Sequence, residues 1–319
     1  MMKRKEFLSI TLAGGLSACL PLFKAGGLNM ARPVATQVPR RRYKNEDTLS
    51  VIGFGGILCL GLSPGEVSNL VARAQDSGIN YFDVAPSYGE GEAEEKLGPA
   101  LEPYRSRSFL ACKTMKRDAE GARSELERSL KRLRTDHVDL YQFHAVTTLN
   151  DVESILAPRG ALDSILRAQE EGLTRYIGFS AHSEEAALAM LDRFSFDSIL
   201  FPFNIGCYVN GDFGPRVLEK AKSKRVVRLA LKAMAYSPWP AAGTHPHPKC
   251  WYRPVEKPEL AQLALRFTLS EAVTATIPPG EEALFLHAVA CAQEFTPLSL
   301  KEKEELKKRF AGIEPLFKS

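Results

Sequence analysis

The sequence predicts an α/β fold: a single-domain (β/α)8 TIM barrel with an N-terminal signal and linker and a C-terminal helical tail. Three observations point there. From residue 43 onward, short apolar runs alternate with helix-like stretches eight times, the pattern of a parallel sheet covered by helices. An open dinucleotide-binding sheet would carry Gly-x-Gly-x-x-Gly after its first strand, but Gly53-Phe54-Gly55 runs into Gly56-Ile57-Leu58 and the third glycine is missing. Finally, single polar residues end several successive strands, as they do where a closed barrel gathers its chemistry on one face. A chain of 319 residues, 45% hydrophobic and 25% charged, suits one barrel of this kind.

Residues 1–25 read as an export signal. Lys3-Arg4-Lys5 precedes an apolar run over 7–23, short for a membrane span, which needs about 20 apolar residues. Arg4-Lys5-Glu6-Phe7-Leu8 resembles a twin-arginine signal with Lys5 in place of the second arginine. Leu16-Ser17-Ala18-Cys19 resembles a lipoprotein box, whose cysteine becomes lipidated. The expected location is therefore periplasmic, or membrane-anchored through Cys19; without export the chain would be cytoplasmic. Residues 26–42, with Gly, Pro and Arg and no periodicity, read as a linker, and 43–319 as the barrel and its tail.

The first strand is expected at 49–54, ending in Gly55-Gly56, with a helix over 64–77. Strand–helix pairs then follow at 79–83 and 93–101, 108–113 and 119–133, 138–144 and 161–171, and 174–180 and 184–193. The last three are expected at 198–203 and 215–222, 226–233 and 258–269, and 273–277 and 281–292. The charged stretch 301–310 is expected to form a helix lying across the outside or the lower part of the barrel mouth.

The net charge of +4 is modest, and no basic stripe with interleaved aromatics appears, which speaks against a nucleic-acid partner. Six cysteines without a C-x-x-C pair argue against a disulfide framework and a zinc ribbon. Cys112 and Cys291 are expected in the core, and Cys59, Cys207 and Cys250 in loops. His245-x-His247-x-x-Cys250 is incomplete as a ligand set, so no metal is expected. The Pro-rich loop 239–253 reads instead as a substrate lid with Trp251 and Tyr252 as an apolar wall.

Four residues carry the chemistry. Asp83, Lys113 and His144 end three consecutive strands, and Tyr88 follows Asp83 by five residues in a Pro/Ser/Gly loop. Reducing a carbonyl by hydride leaves negative charge on its oxygen, so a nearby acid must deliver a proton. A tyrosine hydroxyl has the right shape but an ordinary pKa of about 10. A lysine ammonium within hydrogen-bond reach favours the phenolate, a carboxylate keeps that lysine charged, and a histidine orients the substrate oxygen. A strand-ending Asp is commonly a cap and a lone His commonly structural, so the inference rests on all four together. A Schiff-base aldolase using Lys113 would need a neutral amine, which Asp83 opposes.

Gly78-Ile79-Asn80-Tyr81-Phe82-Asp83-x-Ala85-x-x-Tyr88-Gly89 resembles the first signature of the aldo/keto reductases. Ser129-Leu130-x-Arg132-Leu133-x-Thr135-Asp136-x-Val138-Asp139-Leu140-Tyr141-Gln142-x-His144 resembles the second, and Gly172-Leu173-Thr174-Arg175-Tyr176-Ile177-Gly178-Phe179-Ser180 is also similar to that family. The similarity covers about residues 43–292. It implies hydride transfer from NAD(P)H bound across the barrel mouth to a small-molecule carbonyl substrate, in a monomer or weak oligomer. Tyr88 would be the proton donor, tuned by Lys113 and Asp83, with His144 positioning the carbonyl. Ser180, with His182, would hold the nicotinamide carboxamide. Tyr236 would stack on the ring, Ser237 meet the pyrophosphate, and Gly55 and Gly280 join the cofactor site.

Three positions depart from the family pattern: Ser180-Ala181-His182 replaces a Ser-Asn pair, Leu200 stands for a glutamine, and Glu281-Glu282 follow Gly280. Carboxylates there would repel the 2′-phosphate of NADP, or equally begin a helix well, so NADP versus NAD stays open. Ala181, Leu200 and the acidic pair also fit a second function, a nucleotide-binding accessory module with little turnover.

Overall fold

A computed structural model describes residues 37–243 and 245–319; the expected export signal, Cys19 and the first part of the linker lie outside the described residues. The first described element is a hairpin in which β1 (Arg40–Arg42) pairs antiparallel with β2 (Thr48–Ser50). The expected linker therefore ends sooner than residue 42. The Arg41 guanidinium donates to the carbonyls of Val273 and Leu269 at 2.6 and 2.7 Å, tying this arginine-rich edge to the folded body.

Next in order come β3 (Phe54–Gly55), α1 (Pro64–Asp76), β4 (Tyr81–Asp83), α2 (Glu92–Leu101), β5 (Phe109–Thr114), α3 (Ala119–Leu133) and β6 (Val138–Val146). Then follow α4 (Leu149–Leu156), α5 (Ala161–Glu170), β7 (Thr174–Ala181), α6 (Glu184–Arg193), β8 (Ser198–Phe201), α7 (Ile205–Asn210), α8 (Pro215–Ser223) and β9 (Val227–Leu231). A second hairpin, β10 (Ala235–Pro238) with β11 (Tyr252–Pro254), precedes α9 (Pro258–Ser270), β12 (Ala275–Ile277), α10 (Glu282–Gln293) and α11 (Leu300–Phe310).

Eight parallel strands run in the order β3-β4-β5-β6-β7-β8-β9-β12. A parallel bridge between Ile52 and Thr276 closes the ring, with Gly53 N–H donating to Thr276 O and Thr276 N–H to Val51 O, each at 2.9 Å. The expected barrel is what forms. Its strands are buried on both faces, as parallel strands under helices must be, and β5 is buried at every position. Between strands and helices lies one core, in which Phe54 packs against Phe82 and Phe285. Inside the barrel lies another, built on Tyr81, Phe109, Leu140, Leu200 and Leu229. The first hairpin plugs its lower end: Tyr43 donates to Ser198 Oγ at 3.0 Å and packs against Phe109 and Tyr176.

Helix starts follow capping chemistry. Ser63 and Glu66 form a capping box before α1, with Pro64 in the first turn, and Thr148 and Asp151 do the same for α4. Helices α4 and α7 escape a periodicity search because they are short and stand on their caps; Asn204 caps α7 by accepting from Cys207 N–H. Of the three cysteines expected in loops only Cys250 is in one; Cys59 ends a 3-10 helix over Gly56–Cys59 and Cys207 lies in α7, and all three are buried.

Candidate active site

The parallel register sets the site. Gly55 stands opposite Asp83, and Lys113 opposite Gln142, so the strand ends share one rim. Along each strand alternate residues face the same way, which puts Tyr81 with Asp83 and Gln142 with His144. At the end of β6 the pairing shifts between Phe143 and Val146, and Ala145 takes a left-handed φ of 52°. This bulge re-aims His144. Arg117 holds it there, donating to the carbonyls of His144 and Ala145 at 2.9 and 3.3 Å while pairing with Asp151.

Lys113 is the hub. Only 1% of it is exposed, and its ammonium ion-pairs with Asp83, donates to Val84 O at 3.2 Å and lies 3.3 Å from the Tyr88 hydroxyl. Asp83 keeps its other oxygen for two neutral donors, Tyr81 at 3.2 Å and Gln142 at 3.1 Å. Burial alone would pull the Lys113 pKa down, but Asp83 and Tyr88 outweigh it and leave the amine above its ordinary value.

For Tyr88 the balance differs from the sequence expectation. Lys113 does pull its pKa down, but burial is larger and the hydroxyl ends above its ordinary value. Tyr88 is thus a retained proton beside a fixed positive charge. The His144 ring meets the Tyr88 ring edge-on at 5.7 Å, and its Nδ1 lies 3.3 Å from Ser87 Oγ. Burial, then Lys113, His182, Arg117 and Lys232, hold its pKa well below the usual value, so the imidazole is neutral.

Beside these four, Ser180 Oγ accepts from Ala145 N–H at 2.8 Å, which leaves its own proton to donate. A free hydroxyl proton at the rim fits the carboxamide oxygen of a nicotinamide. His182 follows β7; its Nε2 lies 3.1 Å from Lys232 Nζ, and burial with the Lys232 charge lowers its pKa to about 3. Gly55 and Gly280 sit where the loops after the first and last strands close on each other. A Cβ would meet Ile277 at 2.9 Å from Gly55 and Ile57 at 2.5 Å from Gly280.

A family model described as the aldo/keto reductase family matches residues 51–199. The Bacillus subtilis aldo-keto reductase YhdN is 31% identical over 193 residues, covering 57% of this chain and 56% of its own. A 6-dehydroglucose reductase of Novosphingobium aromaticivorans is 30% identical over 200 residues, 56% of this chain and 60% of its own. The chain thus spans a little over half the length of these curated relatives. The fold is shared with the holo form of a Bacillus halodurans aldo-keto reductase, at a TM-score of 0.66 and 23% identity, over 85% of this chain and 96% of that one. It is shared also with a Klebsiella pneumoniae aldo-keto reductase in complex with NADPH, at 0.64 and 19%, over 88% and 97%. Over residues 51–199 the chain is thus similar to the aldo/keto reductase family, and it shares that family's barrel fold.

Tyr236 and Ser237 lie in the second hairpin, outside the four-residue cluster. β9 ends at Leu231, and both residues fall in the hairpin that follows. The Tyr236 ring packs on Phe310 and under the Arg253 guanidinium, and Ser237 donates to Pro238 O. Glu281 stands at the N-cap position of α10 without a side-chain capping bond and accepts from Lys249 N–H at 2.8 Å, and Glu282 in the first turn pairs with Arg73. Sequence reasoning passed over Gln142 and Lys232. Gln142 was findable from its position two residues before His144; Lys232 looked like the interior of an apolar run.

Proposed function

We propose that the chain reduces aldehyde or ketone carbonyls to alcohols, or runs the reverse, with NAD(P)H and through Asp83, Tyr88, Lys113 and His144. The observation that carries this is the buried Lys113 ammonium, shared between Asp83 and the Tyr88 hydroxyl at the barrel rim. A purely structural ion pair needs no third partner with a transferable proton. The match of residues 51–199 to the aldo/keto reductase family supports the same reaction.

When bound, the nicotinamide nucleotide supplies the hydride; Ser180 is the residue best placed to hold its carboxamide, with His182 beyond. As charge grows on the carbonyl oxygen, Tyr88 gives up its proton. The raised pKa keeps that proton in place until then, and Lys113 stabilises the phenolate as it forms. Asp83 keeps Lys113 charged, while Gln142 and Tyr81 fix the carboxylate. In the tautomer in which Ser87 donates to Nδ1, the neutral His144 carries its proton on Nε2 and can donate it to the substrate oxygen. We also propose that residues 1–25 direct export, on the cationic start and apolar run described above.

The full chain should bind NADPH or NADH and oxidise it with reactive aldehydes or quinones. Tyr88→Phe should lose turnover by about 10²-fold or more while cofactor affinity is kept. Absence of nucleotide binding, or an active Tyr88→Phe protein, would refute the assignment.

A further inference from the structure

The mouth holds a second buried amine that the proposed reduction does not use. Lys232 follows β9, is 7% exposed and takes a left-handed backbone, with φ 61°, uncommon for a residue with a Cβ. Its Nζ lies 3.1 Å from His182 Nε2, 5.2 Å from the centre of the Trp251 ring and 5.8 Å from that of Phe317. The Phe317 ring in turn stacks on His182 at 5.3 Å.

The contrast with Lys113 is what matters. Lys113 has Asp83, whereas among the described residues no carboxylate lies within ion-pair distance of Lys232. Its one close polar partner, His182, is held neutral and can only accept. An ammonium has three protons to donate, and His182 takes one. A buried cation lacking a counter-ion, on a strained backbone, is characteristic of a ligand site. Burial draws its pKa down to about 7, so the charged form is poised to be stabilised by an anion. Its charge is also among those that lower the His144 pKa.

We propose that Lys232, presented by His182 and walled by Trp251 and Phe317, binds a carboxylate or phosphate carried by the carbonyl substrate, making the chain selective for anionic aldehydes or ketones. This rests on the reductase reading given above. The other source of such an anion is the cofactor's phosphates, and the test separates the two.

The full chain and its Lys232→Met variant are compared on 4-carboxybenzaldehyde and uncharged 4-methylbenzaldehyde. The wild type should favour the carboxylated aldehyde in kcat/KM by about 10- to 100-fold, the span of a charge-assisted hydrogen bond, and Lys232→Met should bring the ratio to within about threefold of unity. Calorimetric titration with 4-(hydroxymethyl)benzoate should show binding to the wild type and a loss of about tenfold or more in the variant. Fluorescence titration with NADPH and NADH gives the other arm. Weakened nucleotide binding with an unchanged substrate ratio would assign Lys232 to the cofactor and overturn the proposal. A wild type without preference between the aldehydes would overturn it too. Failure of the wild type on both aldehydes, with no nucleotide bound, would instead remove the reductase reading itself.

Discussion

Lys113→Met deletes the ammonium between Asp83 and Tyr88 and keeps the stem that fills the rim. Two consequences can be separated. For the chemistry, a unit charge about 3.3 Å from a forming phenolate is worth about 5 kcal/mol at an effective dielectric of about 20. The net value of a hydrogen bond to a charged group is smaller, about 1.5–3 kcal/mol. The single-turnover rate at saturating NADPH should therefore fall by about 10- to 10²-fold, with about 5 × 10³-fold as the upper bound. For the fold, Asp83 would remain buried with only Tyr81 and Gln142 as donors, a loss of about 3–5 kcal/mol in urea unfolding followed by far-UV circular dichroism. The double variant Asp83→Asn/Lys113→Met removes both charges and should recover most of that stability. Its rate should stay low. If the double variant regained the rate together with the stability, Lys113 would be a structural ion-pair partner and no more. A single variant within about threefold of the wild type would refute the role outright.

Lys232 gives a pH prediction whose sign is fixed. Its folded pKa of about 7 lies below the ordinary 10.5, so the unfolded chain holds a proton that the folded chain releases. The stabilisation is complete above the unfolded value and is lost as pH falls through the folded one. Between pH about 7 and about 9 the wild type should gain about 2 kcal/mol over Lys232→Met in urea unfolding, and parallel pH profiles would refute this. Cell fractionation tests export: the full chain should appear in the periplasm or membrane, Cys19→Ala should shift membrane-bound protein to the soluble fraction, and a wholly cytoplasmic chain would refute the signal reading.

The legibility of this molecule follows from which residues announce their own surroundings. Asp83 and Lys113 were readable because a charged residue ending an apolar parallel strand has few places to go but the rim. Closure of the barrel was readable from the alternation and the missing third glycine. The bulge that re-aims His144 was not, because it depends on Ala145 tolerating a positive φ, held by Arg117 from a different loop. The same holds for Lys232. Its left-handed turn ends β9 at Leu231, inside an apolar run and two residues before the expected strand end at 233. The first hairpin was hidden for another reason: Arg40–Arg42 look solvated until Arg41 finds two backbone carbonyls far along the chain.

The two rim lysines show what decides the state of a buried amine. Both are almost wholly buried, at 1% and 7% exposure, so burial pulls on both in the same direction. One carboxylate separates them. Asp83 turns Lys113 into a permanent cation, suited to stabilising charge on Tyr88 in every turnover. Lys232, offered only a neutral imidazole, holds its proton loosely and is in reach of Lys113, whose charge lowers it further. The barrel mouth therefore carries more buried positive charge than its own carboxylate can balance. A ligand that brings the missing negative charge to Lys232 gains from that imbalance, and a neutral one of the same shape does not.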